Sequence, residues 1–175
     1  MNKFLLVALL ALPFTANAFD WSTLNPSVEV GYGMPTNGDR VEHNESDASV
    51  LWAEVKVRQP VYENVEGYLG LSWLGEGESE LYVDGKDTTK EQGYYAYGIW
   101  WGVELPTNSR VSYDLGVGIQ SVNFAKTGND VTAGLRAGVE YGITKNWAVN
   151  AKYVYFVDGG ETDIGVAIAG VKYRF

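Results

Sequence analysis

The sequence predicts an all-β protein: an eight-stranded antiparallel up-and-down transmembrane β-barrel with a filled, charged interior. Three observations predict it. Apolar and other residues alternate with period two almost from end to end, in eight segments. The connections between the segments alternate between short and long. One parity is apolar with aromatic ends, and the other balances acids against bases.

The segment Gly93–Leu105 is the clearest. Tyr95, Tyr97, Ile99, Trp101, Val103 and Leu105 occupy one parity; Tyr94, Ala96, Gly98, Trp100, Gly102 and Glu104 occupy the other. Such alternation without helical spacing argues for a strand. The pattern recurs in seven more places. Val28, Val30 and Tyr32 alternate with Glu29 and Gly31; Leu51–Val57 alternates with Trp52, Glu54, Lys56 and Arg58. Val65–Trp73 carries Glu66, Tyr68, Gly70 and Ser72 on its second parity, and Val111–Ile119 carries Ser112, Asp114, Gly116 and Gly118. Val131–Tyr141 interleaves Arg136 and Glu140, Trp147–Tyr155 interleaves Lys152, and Ala167–Phe175 interleaves Lys172 and Arg174.

Residues 59–64, 106–109 and 144–146 form short connections; residues 34–48, 75–92, 121–130 and 156–162 form longer, polar ones. Strict alternation puts every short turn at one end of the barrel, as in outer-membrane barrels with short periplasmic turns and longer outer loops. Within the second long connection, Leu81-Tyr82-Val83 before Asp84-Gly85 predicts a strand pair that continues beyond the membrane and reverses there.

The parities also indicate what each face meets. A soluble barrel with its apolar face inside is the competing fold. Against it, the apolar parity gathers Trp101, Tyr113, Tyr141, Trp147, Tyr173 and Phe175 toward one rim, and Tyr32, Trp73, Tyr95, Tyr97 and Tyr155 toward the other. Two aromatic belts around an aliphatic band suit a bilayer, whose headgroup region favours amphipathic rings. The other parity holds the acids Glu29, Glu54, Glu66, Glu104, Asp114 and Glu140, and the bases Lys56, Arg58, Arg136, Lys152, Lys172 and Arg174. Six match six, as an enclosed lumen requires, because an unpaired buried charge costs several kcal/mol. Eight strands leave an interior that side chains just fill, so no wide channel is expected.

The first residues predict export. Lys3 precedes the apolar run Phe4–Leu12, and Ala16-Asn17-Ala18 has the small-x-small form of a cleavage site. The run is too short for a spanning helix, which needs about 20 apolar residues. Residues 1–18 are therefore expected to be a signal peptide cleaved after Ala18, and residues 19–175 the barrel. The chain has no Cys and one His, so the usual zinc constellations are not expected and no cofactor is implied.

Thirteen bases less Lys3, set against 22 acids, leave the mature chain at −10. The four long connections, with Asp163 counted in the last, carry −3, −4, 0 and −3, and so account for all of it. An acidic accessible surface argues against nucleic-acid partners. The loop acids are expected to be solvated. Divalent-cation recruitment is the functional alternative, but no spaced ligand loop is present. The single His43 lies near Asn44, Glu45 and Ser46 in a polar connection. Nucleophilic catalysis needs a positioned base and an orienting carboxylate, and no apolar cleft for an acyl chain is evident.

The terminal Val171-Lys172-Tyr173-Arg174-Phe175 and the hairpin-like run Ala133–Trp147 resemble the OmpA-like family of small outer-membrane barrels, which includes the OmpX and NspA types. The resemblance implies that Tyr173 and Phe175 act as a signal to the barrel-assembly machinery, and that outer-membrane lipid and lipopolysaccharide surround the barrel. Deacylase barrels of this kind place His and Ser two apart on one strand, where His43 has Glu45 instead. Larger family members add a peptidoglycan-binding domain, which is not expected in a chain ending on its last strand. The function expected is a non-enzymatic outer-membrane protein with a structural or surface-interaction role through its acidic extracellular loops. A narrow ion-conducting pore and a lipid-A-modifying enzyme are the alternatives. No extracellular partner is named by the sequence.

Overall fold

The computed structural model describes residues 23–37, 50–80, 91–107, 109–124, 128–157 and 164–175. They form eight strands: β1 (Asn25–Asn37), β2 (Val50–Tyr62), β3 (Val65–Glu80), β4 (Glu91–Pro106), β5 (Val111–Phe124), β6 (Gly128–Gly142), β7 (Trp147–Val157) and β8 (Ile164–Arg174). Each pairs antiparallel with its sequence neighbours, and β1 pairs with β8, so the sheet closes as a barrel. Closure satisfies the ladder of every strand and leaves no edge, the condition for crossing a bilayer with strands.

The alternation in sequence becomes inside and outside. Leu71 is 60% exposed and Ser72 is 7%; Ile119 is 53% exposed and Gln120 is 1%. Val30, Val55, Leu115, Leu135 and Val171 also face outward. An exterior this apolar is what a bilayer surrounds. Aromatics crowd the rim at the short turns. The Trp147 and Tyr173 rings meet edge to face at 4.9 Å between centroids, and Tyr173 meets Phe175 at 5.1 Å. Trp101 departs from the expected belt. It stands five residues inside the short-turn end of β4, half-buried between its partners Leu69 and Val117 in the aliphatic band.

The short turns are built by local side-chain bonds. Thr144 Oγ1 accepts from the Asn146 and Trp147 amides at 3.3 and 3.0 Å, and Asn146 Nδ2 donates to the Arg174 carbonyl at 2.7 Å. At the other end several strands run past the limits that alternation suggested: β1 to Asn37, β3 to Glu80 and β5 to Phe124. Backbone pairing continues once a neighbour is in register, whatever the side chains. Residues 1–18 with Ala18, His43, Ser46 and the segment Leu81–Gly85 lie outside the described residues.

Candidate functional site

The lumen is the site with chemistry. All twelve charged residues singled out above sit on its parity, and the structure joins them through ion pairs. Lys152 bridges Glu29 (2.5 Å) and Glu54 (3.2 Å). Glu54 meets Arg136 at 2.6 Å, and the Arg136 Nε meets Asp114 at 2.9 Å. Lys56 links Asp114 (2.6 Å) to Glu104 (3.0 Å). From Glu104 the chain forks. Arg58 leads to Glu66, with 3.0 Å on each side, while Lys172 (2.7 Å) leads to Glu140 (2.5 Å) and on to Arg174.

Acid and base alternate at every step, and among the described residues no step closes a ring. Among the described residues each ion pair is therefore the only ionic link between the two parts of the network it joins, and the Tyr68 hydroxyl adds a second contact between Arg136 and Asp114. Glu104 is the branch point with three cations. Most of these side chains are nearly inaccessible, so each charge depends on its partners rather than on water.

Tyr68 and Trp100 fit among them because glycines clear the wall. Tyr68 on β3 reaches across Gly102 and Gly116, where any Cβ would collide with its hydroxyl. That hydroxyl accepts from Arg136 Nε at 2.9 Å and lies 3.1 Å from the Leu115 carbonyl. Its ring lies under Lys56 Nζ (4.2 Å) and Arg136 Cζ (4.5 Å), a cation–π arrangement. The Trp100 ring covers Gly118 and Gly134, where an added Cβ would come within 2.6 Å of it, and its Nε1 donates to Ser72 Oγ at 2.8 Å.

The charged interior read from the sequence fills only the half of the lumen toward the short turns. Toward the long connections the same parity is mostly apolar, with Ser72, Gln120 and Thr132 the buried polar side chains among the described residues there. Val50, Trp52, Leu74, Ala96, Trp100, Val122, Val154, Phe156, Val166 and Ile168 form one buried cluster there, each at most 3% exposed. A single parity thus carries two layers, an ion-pair layer beneath an apolar layer. Between Glu29, Asn150 and Lys172 a cavity of about 10 Å³ remains, about enough for one water.

A further depression lies at the short-turn mouth, between the β4–β5 and β6–β7 turns. It encloses about 460 Å³ and is lined by Arg110, Lys145 and Arg174, among others.

The fold is shared with solved outer-membrane barrels. Ail, the attachment invasion locus protein of Yersinia pestis, superposes with a TM-score of 0.56 at 16% identity, covering 86% of this chain and 98% of that one. Neisserial surface protein A gives 0.54 at 15% identity, covering 87% and 97%. OprG of Pseudomonas aeruginosa gives 0.53 at 12% identity, covering 86% and 95%. No curated protein matches the chain by sequence. The family model for the outer membrane protein β-barrel domain matches residues 4–175. With a closed eight-stranded barrel, an apolar exterior and a charged lumen, the chain belongs to that family and is a protein of the outer membrane.

Proposed function

We propose that this barrel is a non-enzymatic, non-conducting outer-membrane protein with a structural or surface-interaction role. In this reading residues 1–18 are an export signal cleaved after Ala18. The short turns face the periplasm, and the long acidic connections face outward among lipopolysaccharide. Tyr173 and Phe175, at the short-turn rim of β8, serve the assembly machinery. The observation that carries the reading is the two-layered lumen. Ion-paired side chains leave little mobile charge, and the apolar layer above them excludes the water that an ion path needs. Ail has been solved with the heparin analogue sucrose octasulfate. Connections carrying −3, −4, 0 and −3 would repel a polysulfated partner, so a cationic or neutral partner suits this chain better.

Planar-bilayer recording of the refolded protein tests the reading, together with mass spectrometry of lipid A from overproducing cells. Stable insertion without conductance steps is expected, with lipid A unchanged for both the native chain and His43→Ala. Discrete conductance steps, or acyl loss or gain that His43→Ala abolishes, would replace the reading with a pore or an enzyme.

A further inference from the structure

The bases of the mature chain divide unevenly. Six lie in the lumen network, and four, Arg40, Lys86, Lys90 and Lys126, lie in the long connections. The remaining two, Arg110 and Lys145, are 35 positions apart on different turns, yet both line the depression at the short-turn mouth. Pairing of β5 with β6 brings them together. The Gly142 amide donates to the Arg110 carbonyl at 2.8 Å, and Arg110 Nη1 reaches the Ile143 carbonyl at 3.4 Å. The third cation of the depression, Arg174, gives an Nη nitrogen to Glu140, while its buried Nε has no partner among the described residues.

Among the described residues no acid lines the depression, and neither Arg110 nor Lys145 has an ion-pair partner. The Ser109 and Thr144 hydroxyls complete a polar rim. Ile143 of the β6–β7 turn belongs to the lining too; it is 48% exposed, and its amide donates to the carbonyl of Trp147, a member of the aromatic rim, at 2.9 Å. The depression therefore joins the mouth of the lumen to the rim that carries Trp147, Tyr173 and Phe175. Three cations around one open volume, in a chain of net charge −9, favour an anion with several acceptor oxygens.

We propose that this cleft binds a phosphate group, of the kind carried by an anionic phospholipid headgroup. Arg110 and Arg174 supply directional donors, Lys145 a mobile point charge, and Ile143 a contact for the lipid portion. In the orientation proposed above, such a lipid would come from the periplasmic leaflet; the chemistry of the cleft does not depend on that orientation.

The test is an amide and arginine side-chain NMR titration of the refolded protein in non-ionic, phosphate-free micelles. Phosphatidylglycerol and inorganic phosphate are the two probes. Saturable shifts at Arg110, Lys145 and Arg174 are expected with phosphatidylglycerol. An Arg110→Gln/Lys145→Gln variant, altered only on exposed turns, is expected to bind about tenfold more weakly or worse. Shifts with phosphatidylglycerol alone identify the lipid as the source, and shifts with both probes identify a soluble phosphate. Absence of saturable shifts with either probe, or undiminished shifts in the double variant, would overturn the proposal. The barrel spectrum without added probe reports separately on the fold.

Discussion

Glu104→Gln is expected to destabilise the barrel by about 3–5 kcal/mol, the range for breaking a buried ion pair from one side. The substitution keeps the shape of the side chain and removes its charge. Lys56, Arg58 and Lys172 would each lose the partner they share, at a position only 3% exposed. Because the network has no closed rings, no alternative route restores the balance. Urea unfolding in lipid vesicles measures the loss. Glu66→Gln is the internal control: Glu66 has one partner and a side chain 27% exposed, so its loss should cost about 1 kcal/mol or less. Pairing Glu104→Gln with Lys172→Met should recover part of the stability, because it removes the surplus positive charge and leaves Glu140 its pair with Arg174. Equal effects at Glu104 and Glu66 would contradict the branch-point role.

Trp100→Ala is expected to cost about 3–5 kcal/mol as well, by a different route. Trp100 is fully buried, lies against Gly118 and Gly134, and supplies the donor to Ser72. The glycines leave no side chain to collapse into the space, so the cavity would persist. It would open in the apolar layer directly above the charges, where water could enter. Trp100→Phe, which fills most of the volume, should cost about 1–2 kcal/mol. Planar-bilayer recording supplies a second readout: brief conductance events are expected from Trp100→Ala and none from the native chain. A Trp100→Ala variant as stable and as silent as the native chain would show that the apolar layer is not a seal.

Much of this architecture was legible in the sequence because a strand sorts its side chains by parity. Leu71 and Ser72 are adjacent, and nothing beyond period two is needed to send them to opposite faces. The balanced acids and bases pointed to an enclosed charged layer. Parity says nothing about height, however. Trp52 shares a face with Glu54, and Trp100 with Glu104, so the apolar upper layer was hidden among the charged positions below it. A trace of it exists in Ile164–Ala169, where both parities are apolar except at Gly165.

Pairing within the lumen was not legible either. Lys152 meets Glu54 across 98 positions of sequence, through a register and strand tilt that only the closed sheet defines. The basic cleft was out of reach for a related reason. Arg110 and Lys145 look like leftover turn charges until β5 and β6 pair and bring their turns side by side. Trp101 carries the aromatic signature of a belt residue, but its distance along β4 places it in the aliphatic band.

Val30, Leu71, Ile99 and Leu135 point at lipid, while Glu104 and its cations face one another within. Sedimentation of refolded residues 19–175, with and without detergent, tests it most directly. The account predicts a β-rich monomer carrying bound detergent in micelles, and aggregation once detergent is withdrawn. A stable monomer in plain aqueous buffer would contradict it.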